Sequence, residues 1–206
     1  MLALAGTNAA DTGTITGLVK LLPQKTLEGA AAGRYQVKAS TAPAKPEPST
    51  AIVFLEAANP STNAPSQTIE LKQKGFQFQP ANLVIQKGTR VEFPNMDDDY
   101  HNIFSYSKAK RFDLGRYRKD EPPPSLVFDK AGVIKLYCEI HEHMRGTILV
   151  VDTPYFTRTD AEGRYQLANV PPGTHRVKAW QDEKTIWEKS ASVNGGETVT
   201  LNFDGP

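Results

Sequence analysis

Apolar and polar positions alternate along this chain in short runs, and no segment sustains a helical period. The runs are Thr14–Leu22, Ala51–Leu55, Thr68–Leu71, Asn82–Ile85, Arg90–Phe93, Ser125–Phe128, Val133–Tyr137 and Thr147–Val151, followed by Gly163–Leu167, Thr174–Trp180 and Glu197–Phe203. Many are rich in β-branched residues, which suit a pleated, half-buried surface. Turn signals separate them at Gln86–Gly88, Asp129–Gly132, Asp160–Gly163, Pro171–Gly173 and Asn194–Gly196. Short strands at this spacing predict an all-β chain built from sandwiches or barrels. Two stretches have connection composition: Thr41–Pro48 is proline-rich and Ala58–Pro65 has the make-up of a linker. A third, Ser107–Pro124, is highly charged and ends in three prolines, and is expected to be a loop.

Length and composition narrow the classes. A chain of 206 residues with 39% hydrophobic content suits one large domain or two ordinary ones with real cores. A net charge of +1 gives no global field toward nucleic acid or an anionic membrane. No stretch approaches the roughly 20 apolar residues of a membrane helix. The basic, aromatic-containing segments Lys108–Arg111 and Arg116–Lys119 sit among Asp97–Asp99, Asp120 and Glu121, so they read as a solvated surface and not as a nucleic-acid contact. Residues 1–12 are small and apolar, either a tail or the remnant of a secretory signal. With one cysteine, Cys138, no intrachain disulfide can form, and the thiol is either buried and inert or a ligand or nucleophile.

Its surroundings favour a ligand. In Leu136–Val150 a thiol, an imidazole and a thioether (Cys138, His141, Met144) fall within seven residues, flanked by strands. Upstream, Asn95–Asn102 brings His101 to another strand end. Thiolate and imidazole donors with a long methionine contact suit copper cycling between Cu(I) and Cu(II).

From Gln67 to Asp152 the chain resembles the cupredoxins, the blue-copper, plastocyanin- and amicyanin-like β-sandwiches. The resemblance rests on Lys74–Pro80, Leu83–Gly88 and Val91–Asn95 for the opening strands, and on Tyr137-Cys138-x2-His141-x2-Met144-x-Gly146-x-Ile148-x-Val150 for the ligand loop. It implies a Greek-key β-sandwich holding one copper ion, with His101 and His141 as imidazole ligands, Cys138 as the thiolate and Met144 as the axial ligand. Asn102 would tie the two ligand loops together by hydrogen bonds. His143 is expected on the surface, because it adjoins Met144 and the two could hardly converge on one ion. His175 is expected to be a solvated strand residue, and Met96 a loop or packing residue. The charged neighbours Glu139, Glu142, His143 and Arg145 argue against an apolar docking patch around His141.

After Asp152 the text changes. Tyr155–Trp180, with a turn ending at Gly163 and a Pro172-Gly173 pair suited to a type II turn, resembles the carboxypeptidase regulatory, transthyretin-like β-sandwich. The module's first two strands are expected at Gly13–Leu21 and Ser49–Glu56. The organisation expected is therefore a discontinuous module of residues 13–58 with 153–205 and a cupredoxin domain of residues 67–152 inserted in it, as in secreted proteins resembling the methylamine-utilisation cupredoxins.

The function implied is one-electron transfer between extracytoplasmic redox proteins by a mononuclear type 1 copper site, in the periplasm or secreted, without catalysis. Once His101 and His141 are assigned, only His143 and His175 remain, too few for a further three-histidine copper centre. A structural sandwich with a vestigial metal site and a copper carrier are the alternatives. Three methionines in all speak against the carrier. The segment Lys108–Lys119 carries six basic residues against Asp113, which would steer an acidic redox partner.

Overall fold

A computed structural model describes residues 12–23, 47–56 and 66–204. The expected tail at 1–12, except Thr12, most of the proline-rich stretch and the linker at 58–65 lie outside the described residues. The chain opens with β1 (Gly13–Leu18) and β2 (Ile52–Leu55). It continues through β3 (Thr68–Glu70), β4 (Lys72–Gln73), β5 (Phe78–Gln79), β6 (Asn82–Gln86), β7 (Arg90–Glu92), β8 (His101–Tyr106) and β9 (Arg111–Tyr117). Then follow β10 (Ser125–Val127), β11 (Gly132–Tyr137), β12 (Arg145–Val151) and β13 (Phe156–Arg158). The last strands are β14 (Arg164–Val170), β15 (Gly173–Asp182), β16 (Thr185–Val193) and β17 (Thr198–Thr200). Among the described residues there is no helix, as the alternation predicts.

One expectation is corrected. The charged segment after Ser107 is a loop only in part, since Arg111–Tyr117 is strand β9. It pairs with β8 and stands at the edge of its sheet, where one face meets water, so charged residues alternate with the half-buried Phe112 and Leu114.

The chain divides into two compact units. The described residues of one are 47 and 66–152. It holds a five-stranded sheet in the order β6-β12-β11-β8-β9, a three-stranded sheet β10-β7-β3 and the pair β4-β5. Strand β12 runs antiparallel to β11 and parallel to β6. The core takes the inward positions of these strands and of residues adjoining them, among them Leu71, Val91, Phe93, Ile103, Phe128, Ile134, Leu136 and Ile148, all fully buried. In β11 the exposed Lys135 separates Ile134 from Leu136, the period-two alternation of a half-buried strand. Each fully buried aliphatic or aromatic side chain contributes about 1.5–3 kcal/mol.

The described residues of the other unit are 12–23, 48–56 and 153–204. Its sheets run β14-β1-β17 and β13-β2-β15-β16. The core contains Ile15, Val19, Val53, Leu55, Leu167, Val177, Trp187 and Phe203. Strand β1 lies parallel to β17 and antiparallel to β14. Gly17 permits that approach, because a Cβ there would sit 2.0 Å from the Leu201 carbonyl oxygen. The turn expected at Asp160–Gly163 forms: the Asp160 carboxylate accepts from the N–H groups of Glu162 and Arg164, and Gly163 has φ 88°. Gly173, expected to close a turn, opens β15 with φ 135°.

Candidate metal centre

The thiol, both imidazoles and the thioether singled out in the sequence come from two places at one end of the five-stranded sheet. His101 is the first residue of β8, and Cys138, His141 and Met144 lie in the turn joining β11 to β12. That turn closes at its neck through the Tyr137–Arg145 pair, with the Arg145 guanidinium 5.8 Å from the Tyr137 ring. Inside it the Met144 N–H donates to the His141 carbonyl at 2.9 Å. A hairpin held at both levels buries Cys138 and Met144 and leaves His141 half-buried, beside the His101 that β8 presents.

The distances are short. His101 Nδ1 lies 3.1 Å from His141 Nδ1, and Cys138 Sγ lies 3.8 Å from the same His141 nitrogen. One donor atom from each of the three falls within 4.8 Å of the others. His101 is fully buried, Cys138 is 4% exposed and Met144 1%, while His141 is only half-buried. Asn102 reaches across from β8, its side-chain oxygen accepting from the Glu139 N–H at 3.3 Å and its amide donating to Asp113 at 2.7 Å.

Burial opposes ionisation of the Cys138 thiol. Hydrogen bonding with His101 and the backbone N–H groups of Asn102, His141 and Ile140 outweigh it, and the thiol is held below its ordinary range. His141 is pushed down by burial and by the neighbouring His101 and His143. A sulfur whose ionisation is favoured, beside two imidazoles, is a donor set that soft-to-borderline first-row metals select. Nitrogens 3.1 Å apart with a sulfur at 3.8 Å are spaced for one shared ion, given metal–nitrogen bonds of about 2 Å and metal–sulfur bonds of about 2.3 Å. The residues therefore fit a copper ion.

Two contributors were not singled out in the sequence. Asp97 Oδ2 lies 2.9 Å from His101 Nε2, and the same carboxylate accepts from the N–H groups of Gly75 at 2.8 Å and Phe76 at 3.0 Å. Phe76, a non-glycine residue at φ 57°, sets its ring edge-on to both imidazoles, with centroids 5.6 Å from His101 and 5.0 Å from His141. The only signal in the sequence was an acid four residues before His101, and it is weak.

His143 is exposed and stands outside the three-residue cluster, its ring 6.1 Å from that of His141. Met96 is an exposed loop residue. His175 departs from its expected solvation: it is half-buried and its Nε2 bonds the Pro171 carbonyl at 2.7 Å. Glu139, Glu142, His143 and Arg145 are exposed around His141, as their charges imply, but apolar surface is present beside them. Tyr100 and Ile140, 49% and 39% exposed, line a recess of about 450 Å3 with His141, Asp99 and Arg116. The basic segment is largely neutralised in place, by Lys110–Asp129, Arg116–Glu139, Arg118–Asp120 and Lys119–Asp98 pairs. Its excess charge therefore has little reach for steering.

A β-sandwich with a His–Cys–His cluster at one end defines a copper-binding cupredoxin fold. Residues 66–151 match the family of copper binding proteins, plastocyanin/azurin family, and residues 145–204 match the carboxypeptidase regulatory-like domain. The chain thus combines a cupredoxin segment with a carboxypeptidase regulatory-like β-sandwich. Residues 145–151 fall in both matches, and their ladders with β11 and β6 put them in the cupredoxin sheet. Among solved structures the chain is similar to a copper-containing nitrite reductase from Thermus scotoductus SA-01, at 24% identity over 48% of this chain and 25% of that one, with a TM-score of 0.40. It thus spans a quarter of that enzyme's length. A reduced Cu(I) amicyanin variant at pH 4 matches at 19% identity over 48% of this chain and 97% of its own, TM-score 0.38. Amicyanin from Paracoccus versutus matches at 19% over 48% and 96%, TM-score 0.37. No curated protein sequence matches the chain.

Proposed function

We propose that this protein is a one-electron carrier with a single type 1 copper ion held by His101, Cys138, His141 and Met144. The observation that carries this reading is the convergence of one thiol and two imidazole nitrogens at 3.1 and 3.8 Å, with His101 buried and His141 the one of these two imidazoles that reaches the surface. Copper, when bound, supplies the one-electron couple. The protein's own work is to favour the Cys138 thiolate by hydrogen bonding with His101 and backbone N–H groups, to hold the ring of His101 within the core, and to cover the imidazoles with Phe76. Buried donors in a packed β frame change little in position when charge changes, which keeps reorganisation small. The half-buried His141 offers the short path to a redox protein partner.

The reading excludes catalysis at this chain's own copper. A second centre would need histidines beyond His143 and His175, and the chain has four in all. The carboxypeptidase regulatory-like segment is proposed as one discontinuous module, residues 13–58 with 153–205, around an inserted cupredoxin domain of residues 67–152. The pairing of β1 with β14 and β17, and of β2 with β13 and β15, supports that arrangement. Its role is scaffold or interaction surface, and a periplasmic or secreted location suits an exchange of electrons between proteins.

An anaerobic redox titration of the copper-loaded protein tests the carrier role. One electron per chain, taken up and returned reversibly with unchanged circular dichroism, is expected. Irreversible uptake of electrons, or reduction of many nitrite ions per copper at the expense of an added reductant, would overturn it.

A further inference from the structure

We propose that Asp97 is the positioning residue of the site, fixing the His101 ring and the shielding Phe76 turn with one carboxylate and thereby favouring the oxidised state of the bound metal. The inference rests on the copper reading above. Three N–H donors from two separate segments converge on the two oxygens of Asp97: Gly75 N–H on Oδ1, and Phe76 N–H together with His101 Nε2 on Oδ2. The carboxylate itself is held in place, since its own N–H donates to the Asn95 side chain at 2.9 Å and Asn95 in turn donates to the carbonyls of Asp99 and Tyr117.

Three consequences follow from this arrangement. Donation of Nε2–H to Asp97 fixes the orientation of a fully buried ring, with Nδ1 turned toward His141 Nδ1 at 3.1 Å. The paired N–H bonds hold Gly75 and Phe76 at φ 63° and 57°, a conformation that a phenylalanine keeps only when its surroundings determine it. Phe76 in that conformation puts its ring edge-on against both imidazoles. A carboxylate bonded to a ligand imidazole also raises the ligand's basicity, and its negative charge stabilises the more highly charged metal ion.

An asparagine cannot replace it. One of its two terminal atoms is an NH2, which would face either the Gly75 N–H or the two donors now on Oδ2. The neighbouring Asp98 provides the control, because it is exposed and paired with Lys119 and makes no bond to His101.

The experiment compares the copper reduction potentials of wild type, Asp97→Asn and Asp98→Asn. Asp97→Asn is expected to shift the Cu(II)/Cu(I) equilibrium about tenfold toward Cu(I), about 59 mV for one electron, with Asp98→Asn close to wild type. A shift in Asp97→Asn no larger than that of Asp98→Asn overturns the proposal. A second measurement holds whether or not the variant folds: the metal-free wild type should give a slowly exchanging His101 Nε2–H resonance by 15N NMR, and a His101 ring protonated only at Nδ1 would contradict the assignment. A wild type that binds no copper defeats the copper reading instead, and the NMR result still decides the Asp97–His101 bond.

Discussion

The two units bury apolar clusters of the same size, fourteen buried residues each, so core size does not set them apart. What differs is the buried polar chemistry. In the carboxypeptidase regulatory-like unit Thr153, Thr159 and Gln181 complete backbone hydrogen bonds: Thr159 Oγ1 accepts from Ala51, Thr153 Oγ1 from Tyr155, and Gln181 brackets both main-chain groups of Leu22. In the cupredoxin unit Thr89, Asn95 and Ser105 do the same, but other buried polar side chains turn toward side chains. His101 meets His141 and Asp97, Asn102 meets Asp113, and the core cluster itself contains Cys138 and Met144. One core is complete when its backbone is paired. The other leaves a concentrated set of donor atoms at its end, and a metal fits them.

That contrast can be broken from either side. The largest effect is expected from Cys138→Ser, which should remove every trace of thiolate-to-copper charge transfer while far-UV circular dichroism stays unchanged, since the oxygen replaces a single buried sulfur. Retention of an intense visible band would place the thiolate outside the site. Conversely, Trp187→Ala empties part of the other core and should cost about 3–5 kcal/mol in chemical denaturation of that unit, leaving the colour per bound copper intact. Loss of colour without unfolding would show that the two cores are not separate in the way the contacts imply.

A smaller effect concerns pH. The bond from Lys178 first, and the charges of Lys178 and Arg176, hold the Glu56 carboxyl below its ordinary 4.5. Its folded value is thus depressed, so the stabilisation is complete above about pH 4.5 and fades as pH falls through the folded value. Wild type should be more stable than Glu56→Gln near pH 6 and lose that advantage near pH 3, read from urea midpoints at the two pH values. An advantage that persists at low pH would mean the residue acts by packing alone. The smallest effect is His143→Ala, expected to leave the visible spectrum unchanged because that ring stands outside the donor cluster, whereas His141→Gly should open the site to added imidazole. Destruction of the site by His143→Ala would mean the loop is in another register.

Much of this was legible in the residues. Period-two alternation marks most of the strands, and Cys138-x2-His141-x2-Met144 between two such runs marks the turn that gathers the candidate donors. Strand β9 escaped notice because charges on an edge strand dilute its alternation to the half-buried Phe112 and Leu114. Strand β16 escaped because Thr185 and Ala191, on its inner face, are weak apolar signals. The clamp of Asp97 on Gly75 and Phe76 spans 22 and 21 residues, and nothing local encodes it. Three of the four ion pairs that quiet the basic segment are also remote, Lys119 with Asp98 and Arg116 with Glu139 among them. Exposed Tyr100 and Ile140 beside His141 could not be read either, since exposure depends on how two turns fold over each other.

The most direct test of the central claim is the visible absorption spectrum of the purified protein titrated with Cu(II). One equivalent should produce an intense blue or green thiolate charge-transfer band that saturates at one copper per chain and bleaches reversibly on one-electron reduction. A colourless complex, or a band that keeps growing beyond one equivalent, would contradict a single thiolate-ligated copper centre built from His101, Cys138, His141 and Met144.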